Sequence, residues 1–221
     1  MVSLTGRKAD RGNAPEQLVS RLLPNMLDEK RLASIGTLSI LDFGRANSQS
    51  LEFFNQFSCR LSVLDAADSL TEWSAQLVER LEEPPSMQQM QLELSGLLDT
   101  LAAQRFDLVF LWDTLNHLHE YALPAFAGLL RRHVTANFRG HGFLLQKRSA
   151  EPMLRHMSVA GLDRIVVREQ QQAIQYAHNR RVVNESLGSD LKIDHGVLHS
   201  DGRLEFLLVS GKASGRHEST P

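Results

Sequence analysis

The nine residues Ile40-Leu41-Asp42-Phe43-Gly44-Arg45-Ala46-Asn47-Ser48 (ILDFGRANS) join a short apolar run to a small polar turn. The run Ser39–Phe43 reads as a strand. The stretch after the turn, NSQSLEFFNQF (47–57), spaces Leu51, Phe54 and Phe57 near a helical period behind a Ser48 or Ser50 cap. Strand, glycine turn and helix in succession form the opening half of a strand–helix–strand unit, and Gly44 supplies the sharp reversal that such a junction needs.

The same alternation continues downstream. CRLSVLD (59–65) is strand-like, and a helix over Leu70–Leu81 carries Leu70, Trp73, Leu77 and Leu81 on one stripe before Pro84 and Pro85 close it. In SMQQMQLEL (86–94), Met90, Leu92 and Leu94 alternate as a strand would, and a helix over Ser95–Gln104 follows. FDLVFLWD (106–113) is continuously apolar, the mark of a strand covered on both faces. A helix with Leu123, Phe126, Leu130 and Val134 on one face is stopped around Gly140, and GFLLQK (142–147) is the next strand. Residues 149–178 read as an insertion over the carboxyl edge of the sheet, with a strand-like piece in LDRIVVRE (162–169) and no clean period in REQQQAIQYAHNRR. A last helix near Asn179–Leu187 precedes two strand-like runs, Asp190–His199 and Gly202–Ser210, joined as a hairpin through Ser200, Asp201 and Gly202. The fold class expected is α/β: a doubly wound, mostly parallel, seven-stranded sheet ending in an antiparallel hairpin, with helices on both faces. This domain spans 36–212.

Ahead of it, residues 14–35 read as extra N-terminal helices. Asn13, Pro15 and Glu16 would start the first, Leu18, Val19, Leu22 and Leu23 would form its apolar face, and Pro24 would end or kink it. A second piece would run from Asp28 through Leu32 and Ile35 to Gly36. Residues 1–13 and 213–221 are polar and read as flexible tails.

Composition narrows the function. The 221 residues are 42% hydrophobic and 23% charged, ordinary for a globular chain, and 24 Lys plus Arg against 26 Asp plus Glu leave a formal charge of −2. A nucleic-acid partner is disfavoured because there is no net positive field. Cys59 is the single cysteine, which rules out an internal disulfide. No run approaches the roughly 18 apolar residues of a membrane span, and the first residues do not form a signal peptide, so a cytoplasmic location is expected. The nine histidines show no HExxH pattern or carboxylate set, so no metal is expected, and no serine lies in G-x-S-x-G.

In an open α/β sheet a ligand lies outside the carboxyl ends of the strands where strand order reverses. That puts Asp42, Gly44, Arg45 and Ala46 in the crevice. Asp65 ends the second strand 23 residues after Asp42, where a carboxylate can accept hydrogen bonds from both hydroxyls of a ribose. Trp112, Asp113 and Thr114 border the crevice from the fourth strand.

With ILDFGRANS, LDAAD at the second strand, FDLVFLWDTLNHL at the fourth and a closing antiparallel hairpin, the chain resembles the class I S-adenosylmethionine-dependent methyltransferases. In that family the first strand ends in an acid followed by D-x-G-x-G-x-G, whose backbone cradles the methionine part of the cofactor. Asp42 and Gly44 match; the second and third glycines fall on Ala46 and Ser48, and Arg45 replaces a small or neutral residue. The resemblance implies S-adenosylmethionine as cofactor, Asp65 on its ribose, and Trp112 and Asp113 beside the adenosyl group and the transferring methyl. Glu93 and Asp99 are the candidates for an acid on the adenine side. Asp113 and His117 are the candidates for catalysis, since an imidazole after the fourth strand could reach an acceptor proton. The acceptor would be a small molecule or a protein, and exposed edge strands leave room for a homodimer. The degenerate glycine loop opens a second reading, a catalytically inactive protein of this fold acting as a binding or scaffolding partner. A nicotinamide-binding fold is the weaker rival because G-x-G-x-x-G is absent.

Overall fold

The computed structural model describes residues 15–28, 30, 32, 34–97, 101, 104–147, 153–172 and 174–211. The tails expected at 1–13 and 213–221 and part of the helix expected over Ser95–Gln104 lie outside the described residues. The strands are β1 (Glu16–Val19), β2 (Leu38–Asp42), β3 (Cys59–Val63), β4 (Phe106–Trp112), β5 (Val134–Leu145), β6 (Met153–Val159), β7 (Arg164–Gln172), β8 (Leu191–Leu198) and β9 (Arg203–Ser210). The helices are α1 (Leu23–Met26), α2 (Ser48–Phe54), α3 (Ala67–Glu79), α4 (Met87–Leu97), α5 (Leu123–Arg132) and α6 (Arg180–Leu187).

The main sheet has six strands in the order β3-β2-β4-β5-β9-β8. The first four are mutually parallel, and β9 and β8 close the sheet antiparallel, turning at Gly202 with φ +83°. β4 runs between β2 and β5 and is buried along nearly its whole length, as its unbroken apolar sequence requires. One face is covered by helices: Leu70 of α3, Leu94 of α4, Phe126 of α5 and Val183 of α6 pack with Leu41, Val109, Leu111 and Leu144 of the strands. No helix among the described residues is long and apolar enough to cross a membrane.

The other face corrects the expectation of helices on both sides. α1 and α2 lie there, but the rest of the layer is a second, three-stranded antiparallel sheet in the order β1-β7-β6. Its Met157, Ile165 and Val167 pack with Met26 and Phe54 against Ile40, Leu108 and Phe110. The insertion over 149–178 is therefore largely a hairpin, and it is tied to α2 by Ser50 Oγ, which accepts from Val159 N at 3.1 Å.

Four further expectations are overturned. Residues 16–19 form a strand, not the first turn of a helix: Val19 is 62% exposed, so the apolar positions 18, 19, 22 and 23 do not share a buried face. Pro24 sits in the first turn of α1 instead of ending a helix, where its missing N–H costs nothing. The strand expected within 86–94 is helix α4, so the main sheet has six strands and not seven, and β3 is its edge. Met90 and Leu94, four apart, are buried, whereas Leu92 is 73% exposed, and Ser86 Oγ caps the helix by accepting from Gln89 N. Lastly, β5 begins at Val134, well before Gly140, because α5 stops at Arg132.

A buried carboxylate joins the two layers. Glu205 of β9 accepts from Ser20 Oγ, Arg21 N at 3.1 Å, Leu22 N at 3.2 Å, His141 Nε2 at 2.8 Å and His199 Nε2 at 2.8 Å. Burial pushes its carboxyl up, but the bonds from His141, Ser20 and His199 outweigh that and hold it at about 2. Ser20 Oγ also accepts from Leu23 N, so one hydroxyl both caps α1 and anchors the chain between β1 and α1.

Glu205→Ala removes the acceptor of all five bonds, and we expect a loss of about 3–5 kcal/mol in urea unfolding at neutral pH. The helical reading of α4 is checked separately: Leu94→Ala should cost about 2–5 kcal/mol and Leu92→Ala no more than about 0.5 kcal/mol, whereas a strand with 92 and 94 on one face would make the two costs similar.

Candidate functional site

The chain passes from β2 to β3 on one side and then to β4 on the other, so strand order reverses between β2 and β4. The backbones at this junction are linked beyond the strands themselves: Phe43 N donates to Phe110 O at 2.9 Å and Leu64 N donates to Asp42 O at 2.7 Å. Asp42, Asp65 and Asp113 accordingly stand at three adjacent strand ends.

Asp42 is fully buried. Its Oδ1 accepts from Gly44 N at 2.7 Å and from Trp112 Nε1 at 2.5 Å. Desolvation is the dominant influence, and it raises the carboxyl to about 6 against the lowering effect of the two hydrogen bonds. Trp112 adopts φ +50°, and it is the only described residue other than glycine with positive φ. For a large aromatic residue this backbone costs on the order of 1–3 kcal/mol, so the surrounding contacts must hold it there. Its indole stacks on Phe110 with ring centroids 5.2 Å apart and is 2% exposed. It also covers Gly44, where an added Cβ would lie 2.9 Å from both Trp112 Nε1 and Asp42 Oδ1. Gly44 is required here for space, not for positive φ, which it does not adopt.

The rest of the loop also avoids positive φ, so Ala46 and Ser48 take the glycine positions without backbone strain. The helix cap is Asn47 rather than Ser48 or Ser50: its Oδ1 accepts from Ser50 N at 2.8 Å while its Nδ2 donates to Arg45 O at 3.0 Å. Arg45 turns toward the second strand end, where its Nε donates to Asp65 Oδ2 at 2.9 Å, with the two side chains 47% and 46% exposed. The positive charge is thus countered beyond the end of β3, and an exposed pair of this kind contributes only about 0–1 kcal/mol.

On the β4 side, Asp113 and His117 are both buried and lie on one short turn, with Asp113 Oδ1 3.6 Å from His117 Nε2. Thr71 Oγ1 of α3 donates to Ala67 O and so accepts from His117 Nδ1, 2.9 Å away. Nε2, which has no hydrogen-bond partner, faces Asp113. The other oxygen, Asp113 Oδ2, accepts from Gln175 Nε2 at 3.4 Å. Thr71 and Gln175 were not identifiable from sequence. Gln175 lies in a segment without periodicity, and no local signal carries it to the end of β4. His119 stands at the rim, stacked on Tyr121 and edge-on to Tyr176. Asn116 is structural: it donates to Phe143 O and accepts from Leu145 N.

Glu93 lies away from the strand ends, on α4, where it accepts from Trp73 Nε1 and from Arg80, and Asp99 lies outside the described residues. Neither is brought to the crevice by a described contact.

The raised Asp42 carboxyl has a stability consequence. The folded chain binds this proton more tightly than the unfolded chain, whose ordinary value is 3.8, so the group's contribution is full below that value and lost as pH rises through about 6. Asp42→Asn keeps an oxygen acceptor and removes the titration. Its stability relative to the wild type should rise by up to about 3 kcal/mol between about pH 4 and pH 7.5 in urea unfolding, and a pH-independent difference would contradict the assignment.

No protein-family model matches the chain, and no curated protein sequence is significantly similar to it. Solved structures do match in shape. An S-adenosylmethionine-dependent methyltransferase from Clostridium acetobutylicum aligns with TM-score 0.47 and 12% identity over 88% of this chain and 93% of its own. A 1,6-didemethyltoxoflavin-N1-methyltransferase from Burkholderia thailandensis aligns with TM-score 0.42 and 14% identity over 86% and 77%. A glycopeptide N-methyltransferase in complex with S-adenosylhomocysteine aligns with TM-score 0.42 and 13% identity over 84% and 90%. At these scores the likeness carries no inference about this chain's ligand or reaction.

Proposed function

We propose that the chain is an S-adenosylmethionine-dependent methyltransferase whose cofactor lies across the ends of β2, β3 and β4, and whose acceptor is a small molecule or a protein. The observation that carries this reading is the juxtaposition, where strand order reverses, of the tight Asp42–Gly44 turn with a half-exposed carboxylate, Asp65, on the neighbouring strand end. The donor set at the lip suits a nucleoside. Asp65 is open enough to accept from both ribose hydroxyls, and the weak pair with Arg45 yields to such a two-point contact. When bound, the cofactor supplies an electrophilic methyl on a sulfonium.

The chain's own contribution on the acceptor side is the Asp113–His117 pair. Thr71 fixes the ring, Nε2 faces the carboxylate, and Gln175 holds the other oxygen, an arrangement that keeps an imidazole and a carboxylate together at the end of β4. Orientation of the acceptor for in-line attack is the larger requirement. The formal charge of −2 favours an acceptor other than nucleic acid, and a cytoplasmic location belongs to the same reading.

One observation favours the second reading, an inactive protein of this fold that serves as a binding or scaffolding partner. The indole of Trp112 covers Gly44 at the inner end of the crevice. Calorimetric titration with S-adenosylhomocysteine separates the two. Binding that weakens about tenfold or more in Asp65→Ala, and stays within about threefold in Arg45→Ala, supports the enzyme. Absence of binding by the wild type at millimolar ligand leaves the inactive reading.

A further inference from the structure

The strand ends where order reverses are unequally open. At the β3 end, Asp65 and Arg45 are half exposed. At the β4 end, Trp112 is buried, bonded to Asp42 through Nε1 at 2.5 Å, stacked on Phe110 and packed against Gly44. β2 lies between the two, and neighbouring strands are about 4.8 Å apart, so these ends are separated by about 10 Å. A nucleoside held by Asp65 reaches inward over β2 only as far as the indole.

The contact is built from several independent parts. The positive φ of Trp112 turns its side chain into this position, Asp42 supplies the acceptor for Nε1, and an added Cβ at residue 44 would leave no space for the ring. His141 stands edge-on to the indole on the side of β5, with ring centroids 6.2 Å apart. The arrangement is a side chain seated in a fitted recess, and the backbone strain at residue 112 favours its release once the contacts to Asp42 and Gly44 are exchanged for others.

We infer that Trp112 sets the depth of the crevice and is the residue that decides its ligand: with the indole on Gly44 the protein takes the nucleoside part of S-adenosylmethionine or its product, and the amino-acid tail enters only when the indole leaves Asp42. This rests on the proposed cofactor reading. It assigns Trp112 as a specificity residue rather than a passive part of the core, and it makes tail binding and indole displacement a single event.

Titration of the wild type with adenosine and with S-adenosylhomocysteine tests it, beside Trp112→Gly, whose backbone accepts φ +50° without strain. Wild-type affinities for the two ligands should agree within about threefold, because displacing the indole from Asp42 offsets what the tail's contacts gain. Trp112→Gly should gain about tenfold or more for S-adenosylhomocysteine and change less than about threefold for adenosine. A wild type that already prefers S-adenosylhomocysteine by tenfold, or a folded variant that gains nothing, overturns the inference while the cofactor reading stands. If neither ligand binds either protein, the cofactor reading falls and the inference with it.

Loss of the buried indole could unfold the variant, so a second measurement uses the wild type. The chain has two tryptophans, Trp73 and Trp112, and labelling with 5-fluorotryptophan gives two fluorine resonances, assigned with Trp73→Phe. Saturating S-adenosylhomocysteine should shift the Trp112 resonance, and adenosine should not. A bound S-adenosylhomocysteine that leaves Trp112 unmoved overturns the inference.

Discussion

The hydrogen bond from the Trp112 indole to the buried Asp42 carboxylate is the contact on which the centre of the molecule turns. It pins the end of β4 to the end of β2 from the side-chain direction, in addition to the backbone bond from Phe43 N to Phe110 O. It holds a left-handed tryptophan, and it determines why residue 44 has no side chain. Remove the carboxylate's acceptor oxygen and the tight turn, the strained residue and the closed inner end lose their common partner. Such concentration of unfavourable features, a desolvated acid and a bulky residue in the left-handed region, at the reversal of strand order is how ligand sites differ from the surrounding scaffold.

Glu205 shows the opposite solution to the same problem on the same face of the sheet. Both acids are buried, yet Asp42 is served by two neutral donors and is pushed up to about 6, whereas Glu205 collects five donors, two of them imidazoles, and is held at about 2. The larger number of donors on Glu205 is what distinguishes them. Glu205 is an anchor that stays ionised; Asp42 is poised to respond to its surroundings. Their difference separates the part of the molecule that holds the layers together from the part that can change.

Most of the main sheet was legible because its signals are local. The apolar runs at 39–43, 59–65 and 106–113, the stripe Leu70, Trp73, Leu77 and the hairpin turn at Gly202 each specify an element without reference to the rest of the chain. The errors share a cause: spacings that satisfy two periods. Met90, Leu92 and Leu94 alternate, but Met87, Met90 and Leu94 also lie on one helical stripe, and packing against α5 selects the latter. Leu18, Val19, Leu22 and Leu23 fit a helix until Ser20 is drawn to Glu205, which lies 185 positions away in sequence. At the strand ends, the placement of the candidate residues was legible and their contacts were not. Asp42, Asp65, Trp112 and Asp113 do meet at neighbouring strand ends, but the Arg45–Asp65 pair, the seat of the indole and the Gln175 contact depend on side-chain directions that no local pattern carries.

The Glu205 anchor also constrains the order in which the chain can assemble. Ser20, Arg21 and Leu22 are made long before their carboxylate partner, which lies about 185 positions later in the chain. β1 can pair with β7 only once residues 164–167 exist, and the layer it belongs to cannot be fastened until β9 has added to β5. Throughout synthesis the apolar side chains Leu22, Leu23, Met26 and Leu27 are therefore without their final acceptor-bound support, and closing so long a loop is entropically slow. The 16–27 segment is thus made well before the strand that fastens it.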